Sequence, residues 1–444
     1  MAEEKKSGVR NISPFRVDGW NNFVAGIGGT MDKRKETQPG SFVRLTDIEL
    51  SSAYLGDGFS RNIVDMPADD MTREWIKIEN DPESVILNKL QDLRAETAFN
   101  EALKWARLYR GGFIMIGAMD GKEVDEPLVL RKGQDIEYLY VGDAAMINLG
   151  QCEVDNDTKS KMFGKVLRYS ITFQPRAGVS SSQTKMVHHS RILPFFGDPA
   201  PRHGATIDME TRFWGTSALQ SAWDRLADYD GITASVANLM YELIISIYKF
   251  EGLGRLLSQK GGEGSLQNRV EIINLTKSII NGVILDANEG YERNVASLTG
   301  IPEIIDRFMM ALSGVSRIPV TRLFGRSPAG MNSTGQSDMD TYYDSIKANQ
   351  KNDLQPQLQT LVDLLATAYG VAGDDHAIKF NPLTQVSPKE KAETNKLDAE
   401  AFKTLTDGLN TMLTGGVIDA PTFEKLLKAA TFMTNPEISG LLEE

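Results

Sequence analysis

The stretch WGTSALQSAWDRLADYDGITASVANLM, residues 214–240, carries the strongest periodic signal in the chain. From Ser217 to Ile247 apolar residues return as Leu219, Ala222/Trp223, Leu226, Tyr229, Ile232, Val236, Leu239/Met240, Leu243/Ile244 and Ile247, in steps of three and four. That period predicts one helix of about 30 residues, roughly 45 Å long at 1.5 Å per residue. Globular helices usually stop by about 20 residues, so this one reads as a strut. A stripe this long leaves two readings open: ordinary core, or packing on the same helix of a neighbouring copy, with head-to-tail contacts closing a ring. Asp224, Asp228 and Asp230 fall on the polar side. Gly231, in mid-helix, costs roughly 1 kcal/mol and predicts a kink or a close contact.

Upstream, residues 1–40 are polar and Gly-rich, an extended arm that orders only against a partner. Short helical patterns follow. Asp81 is placed to cap a helix near PESVILNKLQDL, and TAFNEALKWARLYRGG ends on Gly111 and Gly112. The period then changes to that of strands in GFIMIGAMD, IEYLYVG, KVLRYSITF and KMVHHSRILPFFG, which predict a modest mixed sheet. Downstream, residues 249–300 form a small α/β insert. Pro302 opens a shorter helix that Gly314 ends, and a long helix follows from an Asp338 N-cap to Gly370, kinked at Pro356. The class is α+β, predominantly helical.

Composition excludes several functions. A net charge of −12 argues against a free-standing protein that grips nucleic acid by general attraction. One cysteine, Cys152, allows neither an intrachain disulfide nor a multi-cysteine zinc site. No run reaches the ~18 apolar residues of a membrane span, and the first residues lack the apolar core of a signal peptide. No glycine-rich loop with Lys-Ser/Thr is present, so no nucleotide is expected. Ser182–Lys185 matches a bare Ser-x-x-Lys but reads as a solvated turn. Adjacent His188 and His189 on a strand point to opposite faces and so do not share a metal. Asp65, Asp69 and Asp70 are the nearest thing to a carboxylate cluster; with His189 they define a rival reading, a metal-dependent hydrolase. No cofactor, metal or catalytic residue is expected in the leading one.

The stretch SRIPVTRLFGRSPAGMNSTGQSD, residues 316–338, is basic and flexible: Arg317, Arg322 and Arg326 stand without an acid until Asp338. Here the order of elements and several phrases resemble the phage portal (head–tail connector) proteins, from about Leu45 to Leu427. The resemblance is carried by VHHSRILPFFG (187–197), by the opening stretch, by GVSRIPVTRLFGRSPAGMNSTGQSDMDTYYDSI (314–346) and by LQPQL (354–358).

The resemblance implies a wing at 41–214 behind the arm, stem helices at 215–248 and 301–315, and a clip at 249–300. It further implies a tunnel loop at 316–337, a long kinked helix at 338–370 and a helical crown at 371–444. The chain would form a ring of about twelve copies at one capsid vertex of a virion, made in the host cytoplasm. Through it double-stranded DNA would be packaged and ejected. Terminase large subunit, a head–tail adaptor, and the major capsid and scaffolding proteins would be its partners, with no membrane involved. Within this scheme Arg322, Arg326, Asn332 and Ser333 would touch DNA without regard to sequence, with Gly325, Gly330 and Gly335 as loop hinges. Trp223, Leu226, Tyr229 and Val236 would join subunits along the stem, and Lys260, Arg269 and Glu271 would meet motor and adaptor. A monomeric assembly adaptor or scaffold is the other alternative.

Overall fold

The computed structural model describes residues 42–173, 183–201, 207–242, 244–249, 290–295, 300–325, 334–371, 376–383 and 388–415, with single positions at 264, 268, 271 and 426. The arm, most of the insert and the centre of the basic loop lie outside them. So do Lys260, Arg269, Arg326, Gly330, Asn332 and Ser333; Glu271 is helical and exposed.

Helix α1 (Asp47–Gly56) opens on a capping box, in which the Thr46 hydroxyl accepts from Glu49 N–H and the Glu49 carboxylate accepts from Thr46 N–H at 2.7 Å. Asp57 caps α2 (Gly58–Thr72) through the N–H groups of Phe59 and Ser60. After β1 (Ile76–Ile78), Asp81 accepts from Ile86 and Leu87 N–H, each at 3.0 Å, and starts α3 (Val85–Asp92) as the sequence predicts. Helix α4 (Ala95–Tyr109) buries Ala98, Phe99, Ala102, Leu103 and Ala106, spaced three and four apart. Its stop is Arg110, at φ 74, so Gly111 and Gly112 belong to strand β2 (Gly111–Ala118). A Cβ on Gly112 would stand 2.3 Å from the Ala102 carbonyl oxygen, because helix and strand meet there backbone to backbone.

Strands β3 (Ile136–Asp143), β4 (Glu153–Val154), β5 (Val166–Phe173), β6 (Gln183–His188) and β7 (Ile192–Phe196) follow. The single mixed sheet of the sequence reading is replaced by two three-stranded antiparallel sheets, ordered β3-β2-β7 and β4-β5-β6. The VHHSRIL segment divides into two strands because His189–Arg191 turns as a 3-10 helix, which hands the chain from one sheet to the other. Phe113, Met115, Ile171, Val187 and Trp214 fill a core of their own around these sheets.

Helix α5 (Met209–Trp214) leads into the strut, α6 (Ala218–Glu242). At 25 residues the strut is about 37 Å long, shorter than expected. The run at 244–249 is not helical: β8 (Ile244–Lys249) pairs antiparallel with β9 (Gly290–Val295), Ile244 opposite Val295. Short apolar runs fit either period, and here the β-branched residues find a partner strand.

Helix α7 (Ile301–Ser316) packs along α6, with Pro302 in its first turn as predicted. It passes through Gly314 and stops at Arg317, φ 59. A single helical turn, α8 (Val320–Leu323), follows, and Gly325 has φ 69. Helix α9 (Thr334–Asn349) starts ahead of Asp338, so Asp338 is not its N-cap and Gly335 is helical rather than a loop hinge. A π turn at Gln350–Leu354 joins it to α10 (Gln355–Tyr369), which has Pro356 in its first turn and Gly370, φ 74, at its end. The expected kink is this π turn, since proline offers no N–H to close a normal one. Strand β10 (Ile378–Phe380) returns to β1, and α11 (Pro388–Thr414) completes the described chain.

The main core joins α2, α4, the first half of α6, the end of α7, α9 and α10. Among the described residues no helix is long and apolar enough to cross a membrane.

Candidate functional site

The basic stretch is anchored at its base by one carboxylate. Asp70 is wholly buried on α2. Arg322 forks onto it, with Nε 3.2 Å from Oδ2 and Nη2 3.1 Å from Oδ1. The Tyr342 hydroxyl donates to Oδ2 at 2.8 Å, and Arg73 Nη1 donates to Oδ1 at 3.3 Å. Arg73 also donates to the Leu383 carbonyl at 2.6 Å and lies over the Tyr343 ring. Gln350, in the π turn, reaches the Met71 carbonyl at 2.8 Å. Four separate segments thus meet at the end of α2.

Local packing sets this up. Ile318 and Leu323 are buried, and Phe324 packs its ring against Phe59 and Tyr229 at 5.0 and 5.5 Å. That clamps α8 with Arg322, the residue before Leu323, turned onto Asp70. The hydrogen bonds it donates to Asp70 hold the Arg322 guanidinium above its ordinary pKa. Burial, with the Asp70 charge behind it, pushes the Tyr342 phenol well up, so it stays a donor.

The three acids of the rival reading divide two and one: Asp65 and Asp69, four residues apart on one helix face, share Lys104, while the next side chain along turns by about 100°. Asp65 accepts from the Tyr54 hydroxyl at 2.9 Å, Asp69 meets Lys104 and Asn100 at 2.7 and 2.9 Å, and only Asp70 turns inward. Among the described residues no three His, Cys, Asp or Glu side chains gather where they could hold a metal ion. His188 and His189 do not point apart as expected. The chain leaves β6 at His188, alternation ends, and the two rings lie 4.4 Å apart. His188 Nδ1 is 2.9 Å from Ser190 Oγ.

Burial lowers both histidine pKa values, helped at His188 by the charges of His189, Arg168 and Arg191 and at His189 by that of Lys165. A folded-state pKa below that of the unfolded chain means that the unfolded state binds more protons just under pH 6.5. Stability is therefore expected to fall as pH drops through that window. Replacing both histidines with Gln flattens this part of a urea-midpoint profile; an unchanged slope would remove the histidines as its cause.

Of the expected stem contacts, one is buried within the chain and three keep part of their surface. Leu226 is buried, and Trp223 and Tyr229 pack on the chain's own core. Val236 is half-buried; farther along, Leu239 and Met240 are exposed, as are Ile304 and Met310 on α7. Arg317 is exposed between two clefts of about 760 and 500 Å³ that share it with Tyr342. Asp198 and Asp353 line the larger cleft, where burial and the Asp198 charge raise the Asp353 pKa.

Sequence reading missed the joint itself. One signal was available: Asp70 falls three residues after Pro67 and seven after Ile63, on the buried stripe of α2. An acid on such a stripe requires a partner.

These features define a mixed α+β chain, mostly helical, organised about a charged joint between its first helices and its long helix pair. A family model described as phage portal protein matches residues 48–404. The chain belongs to the phage portal protein family.

Among its curated relatives is a protein named anti-CBASS protein Acb1 from Caulobacter sp., 29% identical over 406 residues, covering 88% of this chain and 63% of the relative. A protein of the same name from Sphingomonas paeninsulae is 30% identical, covering 88% and 62%. The chain thus spans under two thirds of the length of these two. An uncharacterized protein of Haemophilus influenzae is 29% identical, covering 91% of this chain and 88% of its own. Among solved structures, the neck of a native GTA particle computed with C12 symmetry is similar at 14% identity and a TM-score of 0.49, over 86% of this chain and 92% of that one.

Proposed function

We propose that this chain is the subunit of a portal ring of about twelve copies, the channel through which double-stranded DNA enters and leaves a capsid. It docks the terminase motor and a head–tail adaptor, and meets capsid and scaffolding proteins at one vertex of the virion. Family membership across residues 48–404 carries this reading. In this reading the wing, clip and crown are assigned the spans expected above, the stem helix is shortened to Glu242, and the tunnel loop lies between Ser316 and Thr334. Leu239, Met240, Ile304 and Met310, exposed on the stem pair, offer apolar surface for a neighbouring copy. Arg322, Arg326, Asn332 and Ser333 are its DNA contacts, while Lys260, Arg269 and Glu271 face motor and adaptor.

The first test is mass by light scattering, with electron-microscope averages from the same fraction. The expected result is a ring with a central hole and a mass many times 49.0 kDa. A chain that stays monomeric even beside its scaffolding and capsid proteins overturns the reading. The name of the two longer relatives supplies a second reading, an anti-CBASS activity in this chain. Expressing the chain alone in cells that carry CBASS tests it; no change in defence is expected.

A further inference from the structure

Arg322 belongs to the stretch assigned above to DNA, yet its fork is closed on Asp70. A guanidinium binds carboxylate and phosphate through the same pair of parallel N–H donors. We propose that Asp70 is an internal competitor for DNA phosphate: Arg322 exchanges between the Asp70 carboxylate and the duplex backbone, so that the ring touches DNA briefly instead of holding it. This rests on the channel reading above.

The geometry of the joint favours exchange over a permanent lock. The Arg322 side chain is 33% exposed, so its pair with Asp70 is not sealed from solvent. When it leaves, Asp70 is not stranded as a bare buried charge, because the Tyr342 hydroxyl at 2.8 Å and Arg73 at 3.3 Å still donate to it. A carboxylate in this position weakens DNA binding by competition, as a channel for sliding DNA requires.

The test is affinity of the full-length protein for a short mixed-sequence duplex, read by fluorescence anisotropy across a salt series. In Asp70→Asn, which keeps the shape and loses the charge, Arg322 is released and affinity rises. The affinity lost between about 50 and 200 mM salt then grows about 3.5-fold for each further phosphate that an arginine neutralises. Adding Arg322→Gln to Asp70→Asn abolishes both increases.

Tyr342→Phe acts the other way. It takes from Asp70 a donor that remains when Arg322 leaves, so release of Arg322 costs more, and affinity and salt dependence fall towards those of Arg322→Gln alone. This variant decides the matter by itself if Asp70→Asn does not fold. Wild-type binding with no change in Asp70→Asn or Tyr342→Phe, or an increase that survives Arg322→Gln, overturns the competitor and leaves the channel standing. Absence of duplex binding in every variant overturns both.

Discussion

Replacing Asp70 with alanine is expected to lower the unfolding free energy by about 3 kcal/mol. The carboxylate is wholly buried and takes four hydrogen bonds from three side chains. Its loss strands the hydroxyl of Tyr342, a residue only 4% exposed, and leaves two arginines facing a void. Arg322 and Arg73 are each about one-third exposed and recover part of their hydration, which keeps the cost below that of an arginine sealed in a core. Asp69→Ala, one residue away, is the control: its side chain is 47% exposed, and its pair with Lys104 is worth at most about 1 kcal/mol. Urea unfolding followed by circular dichroism and by tryptophan fluorescence measures both. Equal losses for the two variants would show that the joint contributes no more than a surface pair.

Trp214→Ala is expected to cost about 4 kcal/mol, since the indole is nearly sealed and packs against Phe196 and Phe213 at 5.5 and 4.8 Å. The same ring explains Gly111: a Cβ there would stand 2.3 Å from Trp214 Cε3. Gly111→Ala alone therefore overpacks the site and costs about 1–3 kcal/mol. In the Trp214→Ala background the added methyl enters the space the indole leaves, and its cost falls to near zero or reverses. The double-mutant cycle is thus expected to show coupling of at least about 1 kcal/mol. Additive losses would mean that the two residues do not share this space.

Features governed by neighbours a few residues away were legible in the sequence. Asp81 caps α3, Pro302 opens α7, Pro356 breaks the long helix and Gly370 ends it, because a cap or a missing N–H acts within one turn. The apolar period within residues 214–240 is that of the helix it predicts, and the motif order leads to the portal family, which the match over 48–404 shows. Boundaries were less legible. Gly314 is crossed because a glycine in a helix costs only about 1 kcal/mol, and the stop falls three residues later at Arg317.

Class, family and the order of the longer helices can therefore be read from the residues in a row. Tertiary structure alone decided which of two periods residues 244–249 obey, since the partner strand lies at 290–295. It likewise decided that His188 and His189 share a side, and that Arg322 meets an acid 252 residues away. Local patterns record how a side chain is presented along its own element. They do not record what stands opposite once the elements pack, and the energy of a buried charge is set by what stands opposite.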